Sequence, residues 1–316
     1  MSHKHFLIID GNSLGHWAHN MKPLSVGNMQ TQAIYGFLRA LRAYVSKYSF
    51  ATPIVLWDGM SWRKTAFPAY KENREKSDTK HEVAKLESNK KYHFQRPYIE
   101  KALSFLGVTQ IKAQNMEADD LAAILTKLYV SQGHKVTLLS EDGDWLQLIQ
   151  EGVAVERQRN KDRITTANFT EVTGCKTTAE FVQMKALMGD KGDNISGVGG
   201  VGDKRALEFL ATYGSFNNFL NMVTLEKSVD ITKLPKWQRD LIEDEAKAIV
   251  FDFNITLVDL NTTARPKPVN MHVYKGEPSA ENFLKMCELL LFKSITDQFG
   301  LWSATFPALQ QSAVAA

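Results

Sequence analysis

Short runs that are apolar at nearly every position alternate with longer stretches of helical spacing through the first half of the chain. Residues 6–9 read Phe-Leu-Ile-Ile, residues 53–57 Pro-Ile-Val-Leu-Trp, and residues 136–139 Val-Thr-Leu-Leu. A run with little polar alternation predicts a strand covered on both faces, as in a parallel sheet. Between the first two runs, Ile34, Phe37, Leu38, Leu41 and Val45 recur at helical spacing over residues 31–48. That order is a βαβ unit with a right-handed crossover. Residues 97–106 read as a helix and 108–111 as a strand, and Leu121, Ile124, Leu125 and Leu128 form the stripe of a further helix. A helical stretch to Leu148 and short strands at 153–156 and 163–165 follow. From residue 178 onward the spacing is helical, with helices expected up to residue 188, over 205–213 closed by Gly214, over 216–223, and as one long charged helix over 235–253. Residues 255–258 read as a short extended piece, 261–278 with three prolines as a connector, and 280–292 as a helix docked on the core. Residues 303–316 show no periodicity and are expected to fray.

Composition adds bounds. A chain of 316 residues suggests about two domains, or one core with a large extension. The expected division is a catalytic core over 1–175, a helical subdomain over 176–260, and a connector, docking helix and tail over 261–316. Net charge is only +3, from 38 basic against 35 acidic residues, so any nucleic-acid interface must rest on local clustering. Two cysteines, Cys175 and Cys287, make no disulfide framework and fit a reducing cytoplasm. No apolar run approaches the ~18 residues of a membrane span, and no signal peptide opens the chain. A soluble, cytoplasmic protein without membrane partners is expected.

Four of the predicted strands lead into acid. Asp10 follows the first and Asp58 the second, Glu117, Asp119 and Asp120 open the helix after the third, and Asp142 and Asp144 follow the fourth. Open α/β sheets place ligands at that carboxyl edge. Capping explains any one of these acids equally well, because Asp10 or Asn12 can cap a helix and a first-turn acid complements the dipole. Glu117 and Asp120 can share a helix face while Asp119 points elsewhere.

Residues 189–204, Gly-Asp-Lys-Gly-Asp-Asn-Ile-Ser-Gly-Val-Gly-Gly-Val-Gly-Asp-Lys, add Asp190 and Asp193 and a glycine hairpin between two helices. Gly197, Gly199 and Gly202 match the dinucleotide fingerprint in spacing, but a helix and a polar turn precede them where a strand is required. A phosphate-binding Walker loop fails at Asp203, and an EF-hand lacks its closing glutamate. Carboxylates converging in such number raise one another's pKa, which divalent cations relieve. All-oxygen donors without cysteine or paired histidine point to Mg²⁺, with Mn²⁺ able to substitute. Two such ions about 4 Å apart would clamp a phosphodiester.

Residues 62–96 break the βα rhythm. Basic residues including Lys71, Arg74, Lys76, Lys80, Lys85, Lys90 and Lys91 are interleaved with acids, and large aliphatics are nearly absent from 73 to 91. This is either a solvated helical face or a flexible basic arch that contacts phosphates, with Tyr92 and Phe94 able to stack on bases.

Six pieces in this order and spacing resemble the 5′ nucleases: flap endonucleases, bacteriophage 5′-3′ exonucleases and the 5′-nuclease domain of bacterial DNA polymerase I. They are Ile-Asp-Gly-Asn at 9–12, Trp-Asp-Gly at 57–59, Tyr-Lys-Glu-Asn-Arg at 70–74, Glu-Ala-Asp-Asp at 117–120, Asp-Gly-Asp-Trp at 142–145, and Met-Gly-Asp-x-x-Asp-Asn-Ile-x-Gly-Val at 188–198. The likeness spans residues 6–213, is weaker at 255–259, and looks most like the stand-alone bacteriophage enzymes.

The resemblance implies an α/β, PIN-like, mostly parallel sheet flanked by helices, with a helical arch at about 64–96 and a helix-three-turn-helix clamp. It implies one metal site at Asp10, Asp58, Glu117 and Asp119 and a second at Asp142, Asp144, Asp190 and Asp193, with Asp120 bound through water or set behind the direct ligands. Lys71 would contact the scissile phosphate beside Arg74. Lys76, Lys80, Lys85, Lys90 and Lys91 would line the arch over a single-stranded 5′ end. Gly197, Gly199, Gly202, Lys204 and Arg205 would hold the duplex backbone, around K⁺ in some relatives. Glu141 departs from the small or neutral residue usual there and leaves the ligand set open. The expected activity is two-metal hydrolysis of DNA at a 5′ end or 5′ flap, as a 5′-3′ exonuclease or flap endonuclease, in phage replication or primer removal. RNA–DNA hybrids are a further substrate. With no polymerase sequence following, a monomer working alone or beside a separate replicative polymerase is expected. A PIN-like ribonuclease and a non-catalytic DNA-binding homologue are the alternatives; the hairpin argues against the first and the full acid set against the second.

Overall fold

The computed structural model describes residues 3–49, 51–75 and 79–314. Its centre is a seven-stranded sheet: β1 (His5–Asp10), β2 (Ala51–Trp57), β3 (Thr109–Lys112), β4 (Lys135–Leu139), β5 (Val153–Arg157), β6 (Asp162–Ile164) and β7 (His272–Tyr274). The order across the sheet is β7-β3-β2-β1-β4-β5-β6. The five strands β1 to β5 run parallel, and the two edge strands β6 and β7 are antiparallel. Side-chain alternation divides the core between the two faces. Ile8, Ile54, Leu56 and Ile111 pack on one, while Leu7, Ile9, Val55 and Trp57 pack on the other. Each fully buried aliphatic of this kind contributes about 1.5–3 kcal/mol.

The chain steps outward from β1 through β2 to β3, then returns to the other flank of β1 with β4. The order therefore reverses between β1 and β4, which opens a crevice at their carboxyl ends. Register aligns the ends, with Asp10 opposite Leu56 and Ile9 opposite Leu139. The acids that follow these strands emerge at one level.

The basic segment holds the longest helix, Lys80–Phe105, which runs straight through Pro97. A capping box starts it, with Thr79 and Glu82 satisfying each other's backbone amides. Its lower half is buried through Tyr92, Gln95, Ile99, Ala102 and Leu103. None of the described residues from Lys80 to Lys91 is buried. Tyr92 is fully buried, so the expectation that it stacks on bases fails; its ring fills the notch left by Gly15, where a Cβ would lie 2.6 Å from the ring. Phe94 is 60% exposed and remains open to solvent.

Three further expectations are corrected. The helix expected over 235–253 is two helices, Lys236–Glu243 and Glu245–Val258, divided at Asp244, which caps the second through the Ala246 amide. The second helix absorbs residues 255–258, read above as extended, because burial of Leu257 and Val258 overrides their local β preference. Among the described residues the tail, expected to fray, is helical to residue 314. Helices Phe299–Thr305 and Pro307–Val314 bury Trp302, Phe306 and Leu309 against the core. Among the described residues, no helix is long and apolar enough to cross a membrane.

Candidate active site

The crevice at the carboxyl edge is a cleft of about 470 Å³ whose walls include Asp10, Asp58, Glu117, Asp119 and Asp142 together with Lys71 and Arg74. Asp10 caps the helix Gly11–His19, accepting from the Ser13 amide at 2.9 Å and the Ser140 hydroxyl at 2.8 Å. The capping and cleft readings of Asp10 therefore both hold. Asp58 accepts from the Ala118 amide at 2.7 Å and from the Asn12 side chain. Asp119 accepts from the Trp145 indole at 2.6 Å.

These three carboxyls are poorly compensated. Burial, then Asp58, pushes Asp10 up to about 7. Burial, then Asp142 and Glu117, pushes Asp119 well above the ordinary range, and burial raises Asp58. Glu117 is the exception. Burial alone would raise it, but Lys71 and Arg63 outweigh that and hold it low. It accepts from Ser61 at 2.6 Å, Tyr70 at 3.1 Å, Arg63 at 3.2 Å and the Lys71 ammonium.

The second group of acids adjoins the first. Asp142 caps the turn Gly143–Leu148 through the Asp144 amide. Lys185 donates to Asp144 and, at 3.0 Å, to Asp190. Burial drives Asp144 up to about 6 despite Lys185, whereas Lys185 and backbone amides overcome burial at Asp190 and lower it. Asp193 accepts from the Tyr70 hydroxyl at 2.8 Å and from Arg74 at 2.5 Å, with Lys71 at 3.6 Å.

The Lys71 segment and the hairpin turn are laced together. Lys71 donates its amide to the Asp193 carbonyl at 3.0 Å, Asn73 reaches the Lys191 carbonyl at 2.6 Å, and Asn194 reaches the Ala69 carbonyl at 2.8 Å. Lys71 itself has φ 58°, a left-handed conformation that costs a non-glycine residue about 1–2 kcal/mol. Those cross-strand bonds hold it there, with its ammonium turned to Glu117.

The structure decides between the two places open to Asp120 and changes the one expected for Gly197. Asp120 is fully buried and bonds Arg63 at 3.0 Å and the Trp62 indole at 3.2 Å. It braces Glu117, whose amide it accepts at 3.2 Å, and does not reach the cleft. Gly197 does not face outward either; a Cβ there would meet the Met188 carbonyl oxygen at 2.3 Å, so helix packing demands the glycine. Gly199, with φ +91°, and Gly202 have open space around them. Lys204 is 89% exposed, and Arg205 closes the hairpin on the Gly200 carbonyl. Lys80, Lys85, Lys90 and Lys91 are exposed on the long helix, and Lys76 lies outside the described residues. Glu141 lines the cleft, with one oxygen held by the Arg159 amide at 2.7 Å.

Sequence reasoning missed Arg63, Tyr70, Lys185 and His16. Lys185 carried a signal, being a lone cation on the otherwise apolar approach Phe181, Met184, Leu187 to the hairpin. Arg63, only 2% exposed, carried none, because its partners lie 54 and 57 residues away. His16 lies on the cleft wall, where burial, then His93 and His19, lower it to about 4.

The donor set is oxygen throughout, burial and neighbouring acids raise Asp10, Asp58, Asp119 and Asp144, and the buried Asn12 carbonyl oxygen lacks a partner. These features fit divalent cations. Among the described residues no three acids close on one point as placed; the ammonium groups of Lys71 and Lys185 balance charge between them.

A mostly parallel sheet with an acid-lined edge, an overhanging basic helix and a glycine hairpin defines a phosphodiester-processing class of fold. The chain belongs to the 5′-3′ exonuclease family: residues 5–174 match its N-terminal resolvase-like domain and residues 176–278 its C-terminal SAM fold. A 5′-3′ exonuclease of Aquifex aeolicus is 32% identical over 221 residues, covering 69% of this chain and 72% of that protein. The thermostable DNA polymerase I of Thermus thermophilus is 29% identical over 95% of this chain, which spans only 34% of the polymerase. Among solved structures, the bacteriophage T5 5′-exonuclease with bound zinc superposes with a TM-score of 0.67 at 24% identity, covering 97% of this chain and 99% of that one. The T5 flap endonuclease, solved with DNA and metal ions, gives 0.65 at 24% identity over 97% and 100%.

Proposed function

We propose that this chain hydrolyses DNA phosphodiesters at a 5′ end or 5′ flap, with two Mg²⁺ ions, or Mn²⁺ in their place, held by Asp10, Asp58, Glu117 and Asp119 and by Asp142, Asp144, Asp190 and Asp193. The observation that carries the reading is the single cleft in which raised, uncompensated carboxyls face the Lys71 and Arg74 cations. The bound ions would supply an activated water and stabilise the leaving oxygen. Lys71, held in its strained conformation by the hairpin turn, presents an ammonium where charge develops on the phosphoryl oxygens. Arg74 stands beside it, half exposed, and can take a neighbouring phosphate.

The exposed lysines of the long helix guide the single-stranded 5′ end. The open backbone at Gly199 and Gly202, with Lys204, holds the duplex, and hairpin carbonyls offer a seat for K⁺. An RNA primer paired to DNA is an additional substrate. The test uses a 5′-labelled flap duplex with Mg²⁺. Wild type should yield short 5′ products and Asp142→Asn should lose at least 100-fold in rate; equal rates would remove the metal role assigned to Asp142.

A further inference from the structure

The active-site cleft does not end at Asp58. That residue also heads a second hollow of about 530 Å³ that runs over Lys112, Asn270 and His272. Lys112 and Tyr274 are shared with a third hollow of about 560 Å³, between the Pro97–Ser104 flank of the long helix and Lys275. The three hollows therefore lie in series, each sharing a wall with the next, as a groove that leads from the cleft acids along the open edge of the sheet. The edge is open because β7 pairs with β3 on one side only, in a register that sets His272 against Lys112 and Tyr274 against Gln110.

Three features define what this groove takes. His272 and Tyr274 stand two residues apart on one face of β7, with their rings stacked at 5.8 Å and 24°. Tyr274 is 55% exposed, an aromatic surface left to solvent. Lys112 and Lys275 have no ion-pair partner among the described residues, whereas the nearby Glu100 is already held by Arg96 at 2.7 Å. Free cations beside a short ladder of exposed rings are the ingredients of single-strand recognition, in which bases stack on the rings and phosphates lie against the lysines. An acidic peptide would use the same lysines. It would not explain why the groove opens directly from a catalytic carboxylate, and a strand continuous with the cleft's own substrate does.

We propose that this groove binds single-stranded nucleic acid, namely the nucleotides on the 5′ side of the phosphate in the cleft, over Tyr274 and His272 and against Lys112 and Lys275. The proposal rests on the nuclease reading and gives it a defined path for the 5′ strand beyond the acids.

The test compares the full chain with Tyr274→Ala/Lys275→Ala on one duplex carrying a 5′ overhang of either one or ten thymidines. Each lost stack is worth about tenfold in affinity, so KM on the long overhang should rise about tenfold with the short one unchanged. No change, or an equal rise on both, overturns the proposal. A ten-nucleotide overhang bearing 5-iodouracil, irradiated with wild type in EDTA, should crosslink to residues 269–275. Crosslinks confined to residues 80–96 overturn it, as does a polyglutamate peptide that binds residues 269–275 when the DNA does not. If wild type cleaves neither substrate the nuclease reading fails, and the crosslink still decides the groove.

Discussion

Replacing Asp10 with asparagine should stabilise the metal-free protein, and the gain should depend on pH in a defined way. The Asp10 carboxyl is 5% exposed and is raised from 3.8 to about 7, first by burial and then by Asp58. Below pH 3.8 both folded and unfolded chains carry it protonated, so it contributes nothing. Between pH 3.8 and 7 only the unfolded chain ionises, and stability falls as pH rises. Above pH 7 the loss levels off at about 4 kcal/mol. An amide keeps the acceptor for the Ser13 amide and offers the Ser140 hydroxyl a donor. In EDTA, Asp10→Asn should therefore gain about 4 kcal/mol over wild type at pH 8, about 2 at pH 5, and little at pH 4. Urea denaturation at the three pH values, at equal ionic strength, measures it. Saturating Mg²⁺ should shrink the difference at pH 8, because an ion that binds the ionised carboxylates stabilises wild type preferentially. A variant no more stable than wild type at pH 8, or a gain independent of pH, would refute the reasoning.

Other perturbations separate chemistry from scaffolding. Lys71→Ala should lower kcat on a 5′-labelled flap about 100- to 1000-fold with little loss of fold in circular dichroism. Arg63→Met leaves Asp120 buried without its cation and should cost about 3–5 kcal/mol in urea, most of it recovered in Arg63→Met/Asp120→Leu. Gly199→Ala, in open space but at φ +91°, should cost about 1–2 kcal/mol, whereas Gly197→Ala collides with backbone and should cost more. Equal midpoints for the two glycine variants would sink that distinction.

Asp10, Asp58 and Asp142 were legible because each follows a strand whose apolar run marks where the chain reaches the sheet's carboxyl edge. Asp10, Asp58, Asp119 and Asp142 all line the cleft. Asp120 stayed open between a water-bridged place and one behind the direct ligands, because sequence spacing cannot say which of two adjacent acids turns inward to a distant arginine. Trp302, Phe306 and Leu309 do follow helical spacing, but Pro307 splits them into two short helices, each below the length at which periodicity is visible. Residues 255–258 carry strand-like side chains, and their helix is held by tertiary bonds that no local pattern reveals. Asn254 clamps the Ala186 and Ser196 carbonyls at 2.8 Å, and Arg63 grips the Leu257 carbonyl at 2.7 Å. Long runs read well, and contacts that cross the chain do not.

The notch at Gly15 makes the long helix a cantilever. Tyr92, seated against helix Gly11–His19, is the fulcrum, and beyond it one face of the helix, through Gln95, Ile99, Ala102 and Leu103, is buried in the core. The beam above it, Lys80 to Lys91, is 12 residues of helix and about 18 Å long. A load at its tip, such as a strand pressing on the lysines, acts with that lever arm on the contacts with helix Gly11–His19, where Ser88 and Gln95 also meet His19. Filling the notch, by giving residue 15 a side chain, would displace the Tyr92 ring and so move the support point itself.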